Sequence, residues 1–154
     1  MIGSNTEKVV RLAQCPVFSV PCKVELGKLK KILFPSNGSL SNKSVEVAIN
    51  FQELLGGSLE LLWVHTPHVI ENEDSMHEKL KHEIEVFSLD RYQTYIRKSI
   101  SVEEGILSFA EETQADLIFM ATHGHQGLKH LFEGSFTENI VNHSKRPVLT
   151  QKIY

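Results

Sequence analysis

The sequence predicts an α/β fold: a five-stranded parallel open sheet with helices on both faces, preceded by an extra N-terminal helix-strand. Three observations predict it. From Lys30 onward, short apolar runs alternate with amphipathic stretches in the order β-α-β-α-β-α-β-α-β, and this alternation implies parallel strands joined by right-handed crossovers. The runs at 58–64 and 116–121 are almost continuously apolar, as strands buried on both faces are. Residues 3–18, GSNTEKVVRLAQCPVF, also repeat residues 134–149, GSFTENIVNHSKRPVL, with seven of 16 positions identical and no gap.

Each element has its own signal. Lys31-Ile32-Leu33-Phe34-Pro35 is a short strand that ends in the turn-rich Ser36-Asn37-Gly38-Ser39. A helix over 41–55 places Val45, Ala48, Ile49 and Leu55 on one face, and Gly56-Gly57 stops it. Ser58–Val64 is the second strand. Residues 72–90 read as a helix carrying Met76, Leu80, Ile84 and Phe87 inward. Tyr92–Lys98 is a weaker strand with Tyr92, Thr94 and Ile96 alternating. Ser101 and Glu104 form a capping box for a helix that buries Val102, Ile106, Phe109 and Ala110. Asp116–Ala121 is the clearest buried strand, Ser135 starts the last helix, and Pro147–Thr150 is the last strand.

Composition excludes several function classes. The chain has 154 residues, enough for one ordinary domain, with 23% charged residues and a net charge of −3. That balance gives no basic footprint for nucleic acid or an anionic membrane. No apolar run approaches the roughly 18 residues that span a bilayer, and the N-terminus lacks a signal-peptide pattern. Cys15 and Cys22 are the only cysteines and have no CxxC spacing. Reduced thiols in a cytoplasmic protein are the expectation.

The N-terminal repeat divides the chain. Residues 1–25 read as the final helix and strand of a preceding copy, and residues 30–154 as one complete domain. Such a helix-strand has an apolar face (Val9, Val10, Leu12, Val17, Phe18 and Val20) that needs a partner. It can lie on its own domain's final strand or be exchanged with a second chain.

The loop after the buried strand carries the candidate chemistry. Glycines let a backbone approach a phosphate closely, successive N–H groups in such a turn make an anion nest, and a helix start at Ser135 favours an anion. The stretch 115–149, ADLIFMATHGHQGLKHLFEGSFTENIVNHSKRPVL, resembles the universal stress protein family, whose nucleotide-binding members carry Gly-x2-Gly-x9-Gly-Ser/Thr at this place. The match is Ala121-x2-Gly124-x9-Gly134-Ser135, with Thr122-His123 before the second glycine. Residues 30–154 follow the same family in element order and length.

The resemblance implies an adenine nucleotide alpha hydrolase-like sheet and an adenine nucleotide as ligand, ATP (with Mg²⁺) or AMP. It places Ser36, Asn37 and Val64 toward the nucleoside. The phosphates fall to Ala121, Thr122, His123, Gly124, Gly127, Gly134, Ser135 and Phe136. It also implies a homodimer through the final strand, with Pro147–Ile153 and the repeated Pro16–Val20 as interface segments. Two positions depart from the pattern. Ala121 replaces the first glycine, and its methyl fits only if its φ stays negative. Asn37 stands where binding members carry an aspartate at the end of the first strand. Trp63 reads as core before it reads as an adenine platform.

His123 and His125 flank Gly124, and His65 and His68 lie in an adjacent loop. Imidazole pairs suit Zn²⁺, but no cysteine or spaced carboxylate supports them, and no metal is expected. No Ser-His-Asp order or carboxylate pair marks a nucleophile or general base. Hydrolysis of ATP is expected at most as a slow by-product. Two functions stay open on sequence: a nucleotide-binding stress-response module acting through a homodimer, and a degenerate interaction domain of the same fold that binds no nucleotide.

Overall fold

Six strands form one sheet in the computed structural model, which describes residues 4–123 and 134–153. The order along the chain is α1 (Ser4–Leu12), β1 (Val17–Ser19), a single 3₁₀ turn (Leu26–Lys28), β2 (Lys31–Pro35), α2 (Asn42–Leu55) and β3 (Ser58–His65). There follow α3 (Glu73–Phe87), β4 (Tyr92–Lys98), α4 (Val102–Glu112), β5 (Leu117–His123), α5 (Gly134–His143) and β6 (Val148–Ile153). Across the sheet the order is β1-β6-β5-β2-β3-β4. Strands β2 to β6 are mutually parallel, as the alternating pattern requires, and β1 adds antiparallel to β6.

Two apolar layers sandwich the sheet because successive strand residues face opposite sides. On one side Ile32, Phe34, Leu59, Leu61, Trp63, Leu117 and Phe119 meet Val45 and Ala48 of α2 and Met76, Leu80 and Ile84 of α3. On the other, Leu33, Leu62, Val64, Ile118, Met120 and Val148 meet Val10 of α1, Ile106, Phe109 and Ala110 of α4, and Ile140 and Val141 of α5. The helices start where side chains take up orphan amides. Ser41 accepts from Ser44 N at 3.1 Å, Asn72 from Ser75 N at 2.9 Å, and Ser101 from Glu104 N at 3.1 Å. Gly56, at φ 61°, ends α2 in a left-handed turn.

Polar side chains pin the sheet from below. Asp116 Oδ2 accepts from Lys30 N and Lys31 N at 3.0 and 2.9 Å, tying β2 to β5 at their amino ends. Buried Gln52 donates to Asp90 O and Arg91 O, holding α2 to the turn before β4.

The leader packs within its own chain. Helix α1 lies on α5, and β1 pairs with β6. Its apolar face is less covered than the sequence suggests. Val10 is buried and Val17 half-buried, but Val9, Leu12, Phe18 and Val20 remain exposed. A nine-residue helix and a three-residue strand can turn only one of their two sides to the domain.

Candidate functional site

Ligands of open parallel sheets sit outside the carboxyl ends of the strands, where the strand order reverses. Here that point lies between β2 and β5. From β2 the chain moves outward to β3 and β4, then returns to the other side of β2 as β5. The two strands part early. Their register spans only Ile32 with Leu117 and Leu33 with Ile118, whereas β5 stays paired with β6 up to His123 and Ile153. Pro35 helps to open the gap. Ser36 N donates to Leu62 O on β3, so the preceding position faces β5, and proline has no N–H to offer there.

The loop over this gap is braced from α3. The buried Glu83 carboxylate accepts from Ser36 Oγ at 2.8 Å through Oε2 and from Leu40 N at 2.6 Å through Oε1. Ser36 Oγ in turn accepts from Gly38 N at 3.0 Å. Burial pushes the Glu83 carboxyl up, against the downward pull of its two hydrogen bonds. Gly38, at φ +75°, lies on the Trp63 ring so closely that an added Cβ would fall 2.5 Å from ring atom Cζ3. The Lys79 ammonium stands 5.9 Å from the centroid of the same ring. Trp63 is therefore a buried floor for the loop within the apolar layer.

Several residues singled out in the sequence converge here, with different roles. Ser36 is buried and its hydroxyl is committed to Glu83 and Gly38. Asn37 is half-buried, and its carboxamide forms no hydrogen bond among the described residues. The Val64 side chain faces α4, where it packs against Gly105. Ala121 lies inside β5, opposite Gln151, with its methyl in the apolar layer. It is absent from the residues with positive φ, so the conformation that would make a methyl untenable there is not used. Thr122 is half-buried and donates to Gln151 O at 3.4 Å.

His123 ends β5, and Gly134 and Ser135 open α5. Gly124, Gly127 and His125 lie outside the described residues. Phe136 is half-buried and packs against the apolar layer that includes α4. Thr137, in the first turn of α5, is buried with a hydroxyl that meets no partner among the described residues.

Glu83 and Gly38 are the residues that sequence reasoning missed. A signal for Glu83 exists: it is the one charged residue on the inward stripe of Met76, Leu80, Ile84 and Phe87. A second polar cleft opens at the opposite, amino end of the strands, lined by Lys31, Glu60, Arg91, Tyr95 and Glu112 among others. Glu60 is buried there, and its Oε2 meets no partner among the described residues. Burial pushes its carboxyl up, Lys31 opposes this and Asp116 reinforces it. Among the described residues no three histidine, cysteine, aspartate or glutamate side chains group as metal ligands, and no helix is long and apolar enough to cross a membrane.

Comparison with known proteins bears on this arrangement. The family model of the universal stress proteins matches residues 28–152. The universal stress protein Slr1230 of Synechocystis sp. is 27% identical over 157 residues, which takes in 97% of this chain and 51% of that protein. A universal stress protein of Archaeoglobus fulgidus superposes with a TM-score of 0.75 at 21% identity, covering 99% of this chain and 56% of that one. Another from A. fulgidus, solved in complex with dAMP, gives 0.58 at 14% identity, covering 79% of this chain and 96% of that one. The chain thus spans little more than half the length of the Synechocystis protein and of the first A. fulgidus protein. With four-fifths of its residues inside the family match and its six-stranded α/β sheet in agreement, the chain belongs to the universal stress protein family.

Proposed function

We propose that this chain binds an adenine nucleotide, ATP with Mg²⁺ or AMP, in the gap between the carboxyl ends of β2 and β5, and works in the cytoplasm as a ligand-responsive stress module. The early parting of β2 and β5 beneath the braced Ser36–Leu40 loop carries the reading. Asn37 offers the nucleoside a carboxamide that forms no hydrogen bond among the described residues, and the glycine-bearing segment from Ala121 to Ser135 takes the phosphates. The extended conformation of Ala121 and the Thr137 hydroxyl, which meets no partner among the described residues, support it. The dAMP complex of the A. fulgidus relative shows which ligand class this fold can hold. No catalytic step is assigned. Association forms the other half of the proposal: the β1–β6 end of the sheet is the surface through which the module meets a second copy.

Thermal unfolding with and without ligand tests the first half. A nucleotide at 100 times its Kd stabilises the folded state by about 2.7 kcal/mol, on the order of 5–10 °C for a domain of this size. Millimolar ATP–Mg²⁺ and AMP should each be tried. Asn37→Asp, which restores the carboxylate implied by the family pattern, should enlarge the shift. If neither the native chain nor Asn37→Asp responds, the degenerate interaction domain is the better description.

A further inference from the structure

The cleft at the amino ends of the strands has no part in the nucleotide reading, yet it is built like a site. Its volume is about 610 Å³, inside the range of small-molecule sites, about 300–1,000 Å³. Its floor is the side of the sheet that α4 covers. Alternation along the strands puts Lys31 of β2, Ser58 and Glu60 of β3, and Gln93 and Tyr95 of β4 on that side, with Leu33 and Gln93 flanking Glu60 in register. The end of α4, at Glu112 and Thr113, forms the wall.

The donors around this cleft are committed, and none of them to Glu60. Lys31 Nζ donates to Thr113 O at 3.0 Å, the Tyr95 hydroxyl to Gln93 Oε1, and the Arg97 guanidinium to both oxygens of Glu112. Arg91 Nε stands 3.9 Å from Asp90 Oδ1. Glu60 is only 5% exposed, and its carboxylate forms no hydrogen bond among the described residues. Helix α4 adds to the same sign, since it ends with no basic residue in its last turn and its carbonyl end carries partial negative charge. A buried carboxylate left in this state is costly, and a cation with N–H donors relieves it through a charge-assisted hydrogen bond. A metal ion is the poorer match, because no three metal-ligating side chains group among the described residues. Tyr92 and Tyr95 also line the cleft and offer ring surface to a cation and its alkyl stem.

We propose that this cleft binds a small organic cation carrying N–H donors, an alkylammonium or a guanidinium, with its charged head on Glu60 and its stem along Tyr92 and Tyr95. The site lies at the opposite ends of β2 and β3 from Ser36 and Asn37, so it goes beyond the nucleotide reading and does not depend on it.

Titration of the full chain with agmatine and with 1,4-diaminobutane, in the absence of nucleotide, tests the proposal by calorimetry and by backbone amide shifts. Binding should saturate, and the shifts should centre on Glu60, Gln93, Tyr95 and Thr113. Glu60→Gln keeps the shape of the side chain and removes its charge; it should lower the affinity at least tenfold. Glu78→Gln makes the same change in net charge at an exposed position on α3 and should bind as the native chain does. Tetramethylammonium, which has charge but no N–H, and the neutral 1,4-butanediol should both bind at least tenfold more weakly. Absence of saturable binding at millimolar agmatine and diaminobutane overturns the proposal. So does equal affinity in Glu60→Gln, or a set of shifts centred on Asn37 and Thr122 at the other end of the strands. Tetramethylammonium binding as tightly as agmatine overturns the hydrogen-bonded head, and butanediol doing so overturns the need for charge. Because every arm is read without nucleotide, a failed response to ATP or AMP leaves these outcomes unaltered.

Discussion

Replacing Gly38 by alanine tests whether the loop over the gap is held as closely as the geometry states. Two penalties should combine. Gly38 has φ +75°, which alanine adopts at a cost of about 1–2 kcal/mol. The new methyl would also fall 2.5 and 2.7 Å from Trp63 ring carbons and 3.3 Å from Lys79 Cβ. Trp63 is buried, so its ring cannot swing into solvent, and overpacking of this kind costs about 1–3 kcal/mol. The expected loss is therefore about 2–5 kcal/mol. Two other glycines separate the terms. Gly56→Ala meets only the Lys30 ammonium at 3.5 Å but has φ +61°, so it should show the backbone cost alone. Gly27→Ala meets nothing within 4 Å and should be near neutral. Urea unfolding at constant m-value gives the three differences directly. A double-mutant cycle with Trp63→Phe should recover more than about 0.5 kcal/mol, because the two sites touch. If Gly38→Ala costs no more than Gly56→Ala, Trp63 is not the floor of the loop and the site must be redrawn.

Further outcomes follow from the two buried carboxylates. Glu83→Ala removes the acceptor for Ser36 Oγ and Leu40 N; it should cost about 2–3 kcal/mol and speed hydrogen exchange at Leu40. Equal exchange in the variant and the native chain would show that the brace is dispensable. Glu60 has a carboxyl raised above its ordinary value of 4.5 by burial. The folded state then holds its proton more tightly than the unfolded one, so its contribution is fully present below pH 4.5 and is lost as pH rises through the raised value. Glu60→Gln should thus be more stable than the native chain at pH 7, by about 1 kcal/mol, and the advantage should vanish toward pH 4. A constant difference across that range would mean that Glu60 is not charged and unpartnered at neutral pH.

The fold was readable because its signals are local and repeated. Apolar runs bounded by turn residues became β2, β3, β5 and β6, and Ser101, read as a helix start, does cap α4 with its side chain. The site was readable in outline only. Spacing from Ala121 to Ser135 locates a loop, but the brace between Glu83 and Ser36 spans 47 residues, and no periodicity reports a contact at that distance. The bonds of Ser36 Oγ to Glu83 and Gly38 N were out of reach of the sequence for the same reason. The repeat was visible at once. Its consequence was not, since the exposure of Val9 and Phe18 depends on which side of the leader faces the domain.

The two margins of the sheet are blunted by different means. Strand β4 ends in Arg97 and Lys98, each ion-paired with a glutamate, Glu112 and Glu73. Strand β1 is only three residues long and lies between Pro16 and Pro21. Charge at one margin and brevity with proline at the other leave little backbone to template fibre growth. Clipping within the leader would change this. Loss of β1 would open one edge of Val148–Ile153, six residues with one charge at Lys152, and an open apolar edge of this kind can template strand addition. Cleavage between Ser19 and Leu26 is therefore expected to shorten the time the protein stays in solution.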